Sequence, residues 1–151
     1  MIKKQIEDDL KSALLGGDKE LVTTLRTIKS VILDAEVNSG RREEGLPDEE
    51  IITLLIKESK KRQDAAKIYK DANDDVRSSK ELGEASVIAK YLPKMMDEAE
   101  ITSVVKEVIG GMGEGVGVQQ MGQIIGQVKA KTGALADGAT VARIVSQEIK
   151  R

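Results

Sequence analysis

The chain has 151 residues, the size of one ordinary domain or two small ones, and its 40% of apolar residues suffices for a buried core beneath a surface rich in charge. It contains no histidine, cysteine, phenylalanine or tryptophan, which excludes Ser-His-Asp and Cys-His catalytic sites, Cys/His zinc sites, disulfides and the aromatic base-stacking surfaces of RNA-recognition motifs. Its net charge of −2 excludes a bulk polyanion binder, so any contact with nucleic acid requires a local basic surface.

The spacing of apolar residues predicts two helices at the start of the chain. The first is expected to end at Gly16-Gly17, because glycine accommodates the left-handed conformation that often follows a helix. Asp18 is then placed to cap the second helix, since its carboxylate can accept hydrogen bonds from the first free N–H groups. That helix is predicted to end near Asn38.

Two further helices follow in the same half of the chain. The acidic run after Pro47 predicts the start of the third, because negative charge is favoured at a helix amino terminus. Glu58 and Arg62, four residues apart, are predicted to form an ion pair on its exposed side. A break at residues 73–75 begins the fourth helix, which Pro93 is expected to end.

The second half of the chain predicts three more helices. Asp97 is placed to open the fifth, a sixth begins near Met121, and a turn over residues 133–138 precedes the last. No alternating apolar run indicates a strand. The predicted fold class is all-α, with a four-helix amino-terminal domain (residues 1–94, 5 glycines) followed by a smaller three-helix carboxy-terminal domain (residues 95–151, 9 glycines).

A glycine-rich segment, residues 110–117, lacks the spacing of a dinucleotide-binding fingerprint, and no Gly-Lys-Ser/Thr follows it as in a P-loop. It is predicted to be a connector between helices.

Gly122 and Gly126 within the sixth helix predict a close approach by another helix backbone. Because neither nucleotide-binding motif is present, we expect no cofactor. We also expect no metal, because the adjacent acidic pairs fall at predicted helix ends or exposed faces: Asp8-Asp9, Glu49-Glu50 and Asp74-Asp75.

Basic residues provide the strongest signal for binding. Residues 57–71 contain six lysines and arginines against three acids, an excess that favours contact with phosphate, although most such runs are simply solvated helix faces. Further basic residues precede this stretch or flank the last two helices. The candidate nucleic-acid-binding residues are Arg26, Lys29, Lys57, Lys60, Lys61, Lys67, Lys129, Lys131 and Arg143.

No apolar stretch approaches the roughly 20 residues that a membrane-spanning helix requires. The first nine residues carry charges too densely for a secretory signal. The protein is therefore expected to be cytoplasmic and to have no membrane partner.

Segments distributed over nearly the whole chain resemble the GatB/YqeY family, in the same order. They are Leu25–Ile32 with Glu36, Leu46–Glu50, Lys60–Arg62, Glu84–Pro93, Met121-Gly122 and Ala136–Gly138 with Val141. The resemblance implies a four-helix domain followed by a three-helix domain. It also implies similarity to the tail of the B subunit of glutamine-dependent tRNA amidotransferases, without the catalytic part of that subunit.

The resemblance, the basic third helix and the modest charge and small size of the chain together leave three roles open. The first is a non-catalytic accessory module that binds tRNA. The second is a protein-interaction domain that docks on a tRNA synthetase or an amidotransferase subunit, and the third is a component associated with carbon–nitrogen ligase activity that uses glutamine as amide donor. Many family members carry basic residues on both sides of the Ala136–Gly138 turn, where this chain has Leu135 and Ala139. This departure removes two potential phosphate contacts.

Overall fold

A computed structural model describes residues 1–150 and shows seven α-helices, with no strand in that range. The all-α prediction is confirmed. The helices are α1 (Ile2–Gly16), α2 (Lys19–Asn38), α3 (Asp48–Asp71), α4 (Asp75–Ala89), α5 (Glu98–Gly111), α6 (Met121–Thr132) and α7 (Gly138–Ile149), and short 3-10 turns cover Val118–Gln120 and Gly133–Leu135. No helix in residues 1–150 is both long enough and apolar enough to cross a membrane.

The chain divides into two compact units. Unit 1 covers Met1–Leu92 and contains α1 to α4, and unit 2 begins at Pro93 and contains α5 to α7. Each unit has its own apolar core.

Local signals place the helix ends as the sequence predicts. Gly17 follows α1 in the left-handed conformation, with φ of 72°. Aspartate side chains cap four helices by accepting a hydrogen bond from the backbone N–H three residues later: Asp18, Asp74, Asp97 and Asp137.

Three predicted details differ in the structure. Helix α4 ends at Ala89, before the residues that Pro93 restricts, and a turn completes the segment. Helix α5 extends through Gly110 and Gly111, so the connector in the structure begins two residues later than predicted. The close helix approach predicted at Gly122 and Gly126 is wrong, because both are exposed and a Cβ at either would meet nothing within 4 Å.

Branched aliphatic residues form most of the core of unit 1, in which α2 contributes Leu25, Ile28 and Ile32. One ionised residue joins this stripe: the Glu36 side chain is fully buried. Its two carboxylate oxygens accept hydrogen bonds from the Lys3 ammonium at 2.9 and 3.0 Å. A buried carboxylate needs such a partner, because an unpaired charge is costly away from water.

The core of unit 2 is smaller and contains no large aromatic residue. Helices α5, α6 and α7 contribute Val105, Ile124, Val128 and Ile144, all buried. The short connection before α5 is attached to this unit by a hydrogen bond from the Met96 N–H to the Leu135 carbonyl oxygen, at 2.9 Å. The fold of unit 2 therefore depends on the packing of Ile and Val side chains.

Candidate nucleic-acid interface

Helix α3 has two faces of opposite character. Its buried residues are Ile51, Leu55, Glu58, Ser59 and Ala66. The predicted lysines are all exposed and lie on the other side of the helix: Lys57, Lys60, Lys61 and Lys67. Because residues three to four positions apart share a helix face, these lysines form one surface along about 15 Å of the helix axis, which we call the lysine face.

Most of the lysine face is not neutralised by neighbouring side chains. Lys57, Lys61 and Lys67 make no ion pair or hydrogen bond with any side chain in residues 1–150. Asp64 and Asp71 lie on the same side of α3 but leave an excess of positive charge. A set of unpaired cations at this spacing can approach the phosphates of a nucleic acid without first breaking internal ion pairs.

Arg62 follows Lys60 and Lys61 in the sequence but belongs to the other side of the helix. Its guanidinium donates a hydrogen bond to Glu58 at 2.8 Å. The predicted Glu58–Arg62 pair therefore forms, but its predicted exposed position is wrong, because Glu58 is buried and the Arg62 side chain is largely buried. Arg62 is consequently not part of the lysine face.

The two basic residues predicted on α2 lie apart from the lysine face. Lys29 faces α1, where its ammonium lies 3.7 Å from a carboxylate oxygen of Glu7. Arg26 is exposed one turn earlier on the same helix. The opposite side of α2, with Thr24 and Thr27, faces α3 and α4. The structure thus gives α2 a separate, smaller basic surface.

In unit 2, two of the three predicted cations are paired. The Lys131 ammonium donates a hydrogen bond to Glu107 at 2.8 Å, and this bond and its charge lower the pKa of the Glu107 carboxyl. The Arg143 guanidinium pairs with Glu98. Both pairs are exposed, so they contribute little to stability, but they reduce the charge available to a ligand.

Lys129 occupies a different position, beside the start of α7. Its Cε and Nζ atoms lie 4.0 Å from the point where a Cβ on Gly138 would be. The adjacent turn is part of the structural framework, because Asp137 accepts hydrogen bonds from the backbone N–H and hydroxyl of Thr140, at 3.0 and 2.8 Å. Lys129 thus places one positive charge next to the turn whose flanking positions are apolar in this chain.

Metal-ligating clusters and clefts are the remaining candidates for a site among the described residues. No cluster of three or more metal-ligating side chains occurs in residues 1–150. A cleft of about 260 Å³ lies between α2 and α3, below the usual size of small-molecule sites. The Arg41 guanidinium on its wall is held by Glu50 through two hydrogen bonds, of 2.9 and 2.5 Å.

Comparison with protein families identifies the family of this chain. The model of the YqeY-like protein family matches residues 3–149. The chain belongs to this family. No curated protein matches its sequence.

The match to the YqeY-like family extends over α1 to α7 and so includes both units. Within this family member, the segments on which the resemblance rests lie in different structural settings. Leu25–Ile32 supplies core residues of α2, whereas Lys60–Arg62 spans the exposed and buried sides of α3. The family match therefore does not by itself distinguish residues that bind a ligand from residues that hold the fold.

Proposed function

We propose that this YqeY-like protein is a non-catalytic accessory module that binds structured RNA of the tRNA class through the lysine face. The observation that carries the proposal is the presence of three unpaired lysines, Lys57, Lys61 and Lys67, on one exposed side of α3 in a chain whose net charge is −2. A positive surface on an otherwise acidic protein directs a polyanion to one orientation. The resemblance to the tail of the amidotransferase B subunit supports tRNA as the polyanion.

Folded RNA fits this surface better than single-stranded RNA. Sequence-independent binding of single strands usually relies on stacking of bases on aromatic side chains. The chain has only two aromatic residues, both tyrosines, and each already contacts another side chain. The Arg77 guanidinium lies 5.8 Å from the ring centre of Tyr69, and the Tyr91 hydroxyl donates a hydrogen bond to Asp9. Contacts with backbone phosphates are therefore the main interaction available.

Reversal of charge on the lysine face is expected to abolish binding to tRNA. The Lys57→Glu, Lys61→Glu and Lys67→Glu triple variant replaces three unpaired cations by three anions, while α3 keeps its buried face. Affinity is measured by fluorescence anisotropy with labelled tRNA over a series of salt concentrations. The parent protein should bind with an affinity that falls steeply with salt, and each lysine that neutralises a phosphate contributes just under one unit to the log–log slope.

A control variant separates the position of the charges from their total. Reversal of the exposed lysines Lys4, Lys11 and Lys19 in α1 and at the start of α2 changes the net charge by the same amount. This control should retain most of the affinity, and the circular dichroism of both variants should match that of the parent. Equal loss in the two variants would show that only net charge matters, and full binding by the first would contradict the assignment of the lysine face.

The isolated chain is expected to form no amidated product from ATP, glutamine and Glu-tRNA. The sequence contains no cysteine or histidine with which to build a Cys-His or Ser-His-Asp nucleophile for release of ammonia from glutamine. The reaction is followed by chromatography of the amino acid released from the tRNA. Multiple turnovers by the purified chain, absent from a mock purification, would overturn the non-catalytic assignment and favour a direct role in carbon–nitrogen ligation.

Docking on a protein is the second candidate function, and exposed aliphatic side chains favour it. Leu15 at the end of α1 is 91% exposed, and Val76 at the start of α4 is 82% exposed. Contiguous exposed apolar residues mark interfaces with other proteins, and Leu14, next to Leu15, is itself 50% exposed. If a tRNA synthetase or amidotransferase subunit is the partner, its binding should survive the lysine reversal, whereas binding of tRNA should not.

A further inference from the structure

The α3–α4 hairpin of unit 1 extends beyond the apolar core that holds its base. The core includes α3 only as far as Leu55, and α4 only from Val87. Beyond these positions the hairpin leaves large aliphatic residues in solvent: Ile68 is 68% exposed and Val76 is 82% exposed. A buried hydrogen bond from the Ser78 hydroxyl to the Ala66 carbonyl oxygen, at 2.8 Å, joins the two helices in this outer half, and any further attachment must come from other interactions.

A group of charged residues lies where the apolar core ends. The Arg62 guanidinium of α3 is 2.8 Å from Glu58 on its own helix. It also reaches Glu81 and Glu84 on α4, at 3.5 and 3.2 Å. All four side chains are at least three-quarters buried. We call these residues the Arg62 cluster.

The Arg62 cluster has more negative than positive charge. One guanidinium faces three carboxyl groups, and the Oε2 atoms of Glu81 and Glu84, although 3.5 and 3.2 Å from the Nη1 atom of Arg62, are buried and accept no hydrogen bond among the described residues. Helix α2 lines the same space with Thr24, Thr27 and Ile28, none of which is charged. The enclosed volume is about 10 Å³, space for about one water molecule.

Two carboxylates that lie around the same guanidinium nitrogen, in a partly buried site, repel each other, and a single proton between them removes the repulsion. The proton also makes one carboxyl a donor, so that its O–H can satisfy one of the two buried oxygen atoms. We propose that Glu81 and Glu84 together bind one proton in the folded protein, and that this proton fastens the outer half of the α3–α4 hairpin.

The electrostatic environment of Glu84 supports this proposal. Burial raises the pKa of Glu84, and the neighbouring Glu81 raises it further. The positive charges of Arg62 and Lys80 act in the opposite direction and do not cancel the increase. Because the two carboxyl groups interact, the proton belongs to the pair rather than to one residue.

The consequence for stability follows from the sign of this shift. A carboxyl group whose pKa is higher in the folded state than in the unfolded chain binds its proton more tightly when folded. Its contribution to stability is complete below the unfolded pKa, near 4.5, and is lost as the pH rises through the higher folded pKa. The outer half of the hairpin should therefore loosen as the solution becomes more alkaline.

Carboxyl titration by carbon NMR tests the proposal directly. The side-chain carboxyl resonances of Glu81 and Glu84 are assigned by comparison with the Glu81→Gln and Glu84→Gln variants. The Glu84 resonance should titrate with a midpoint above 4.5, and the Glu81→Gln substitution should lower that midpoint. If both carboxyl groups titrate at or below 4.5, the proposal is overturned.

Equilibrium unfolding provides a second measurement that depends on the same proton. Both tyrosines lie in unit 1, so tyrosine fluorescence follows this unit alone. The unfolding constant of the parent, divided by that of Glu84→Gln, should be near one at pH 4. This ratio should rise by up to about tenfold per pH unit above 4.5, because the parent loses the stability that its proton provides. A ratio that does not change with pH would contradict the shared proton, and the exposed Glu43→Gln serves as the matched control substitution.

Discussion

The substitution Lys3→Met is expected to destabilise unit 1 by about 3 kcal/mol at neutral pH, because it leaves the buried carboxylate of Glu36 without its cation. Glu36 is fully buried, whereas Lys3 reaches it from a partly exposed position at the start of α1. The cost therefore falls on the carboxylate. Methionine preserves most of the apolar stem of the lysine, so the change tests the charge rather than the packing.

The geometry explains why no neighbouring group replaces Lys3. Apart from the lysine, the described donor to Glu36 is the backbone N–H of Leu46, at 3.4 Å. This neutral and long hydrogen bond provides much less stabilisation than two bonds from an ammonium at 2.9 and 3.0 Å. Chemical denaturation followed by tyrosine fluorescence measures the loss in unit 1.

A double variant and a neighbouring control complete this test. Lys3→Met with Glu36→Met removes both charges and should recover most of the stability, because replacing a buried ion pair by apolar groups of similar size is often nearly neutral. Lys4→Met alters an exposed neighbour and should change stability by less than about 0.5 kcal/mol. The assignment is wrong if Lys3→Met costs less than about 1 kcal/mol or the double variant is no more stable than the single one.

Features that depend on neighbouring residues could be predicted from the sequence. An aspartate before a helix acts on N–H groups only three residues away, and Gly17 adopts its conformation locally. The helix pattern and the all-α fold follow from such signals and from apolar spacing. The close approach predicted at Gly122 and Gly126 needed knowledge of which surfaces meet, and it fails for that reason.

Apolar spacing identified the core faces only where a partner helix is long enough to cover them. Three apolar residues fit helical spacing and are nevertheless exposed: Ile68, Val76 and Leu82. They are exposed because the α3–α4 hairpin extends beyond the apolar core of unit 1. Conversely, Glu36 lies four residues after Ile32 on a buried stripe. A charged residue in that register is the one signal in the sequence that indicates a buried ion pair, but it does not identify Lys3 as the partner.

The same limit applies to the basic residues. Charge excess correctly places exposed lysines along α3, because side chains on one helix face share a fixed spacing. It could not show that Lys131 and Arg143 are paired, since their acidic partners are 24 and 45 positions away in the chain. Nor could it show that Arg62 belongs to a partly buried cluster rather than to the lysine face, because two of its carboxylates come from α4.

The substitution Ile124→Ala in unit 2 is expected to cost about 2 to 5 kcal/mol. The Ile124 side chain is fully buried in the core formed by α5, α6 and α7, so its removal loses apolar contact and leaves a cavity. A unit of this size has a total stability of only about 3 to 9 kcal/mol, and the loss is therefore a large part of it.

The two units allow the effect of Ile124→Ala to be localised. Far-UV circular dichroism reports helices in both units, whereas tyrosine fluorescence reports unit 1, so the early loss of unit 2 should appear in the first signal and not in the second. Ile68→Ala is the matched control, because the same side chain is 68% exposed there and its removal should cost less than about 0.5 kcal/mol. With no large aromatic residue in unit 2, each buried aliphatic side chain carries a greater share of the core. A loss below about 1 kcal/mol at Ile124 would show that α6 packs through a different face.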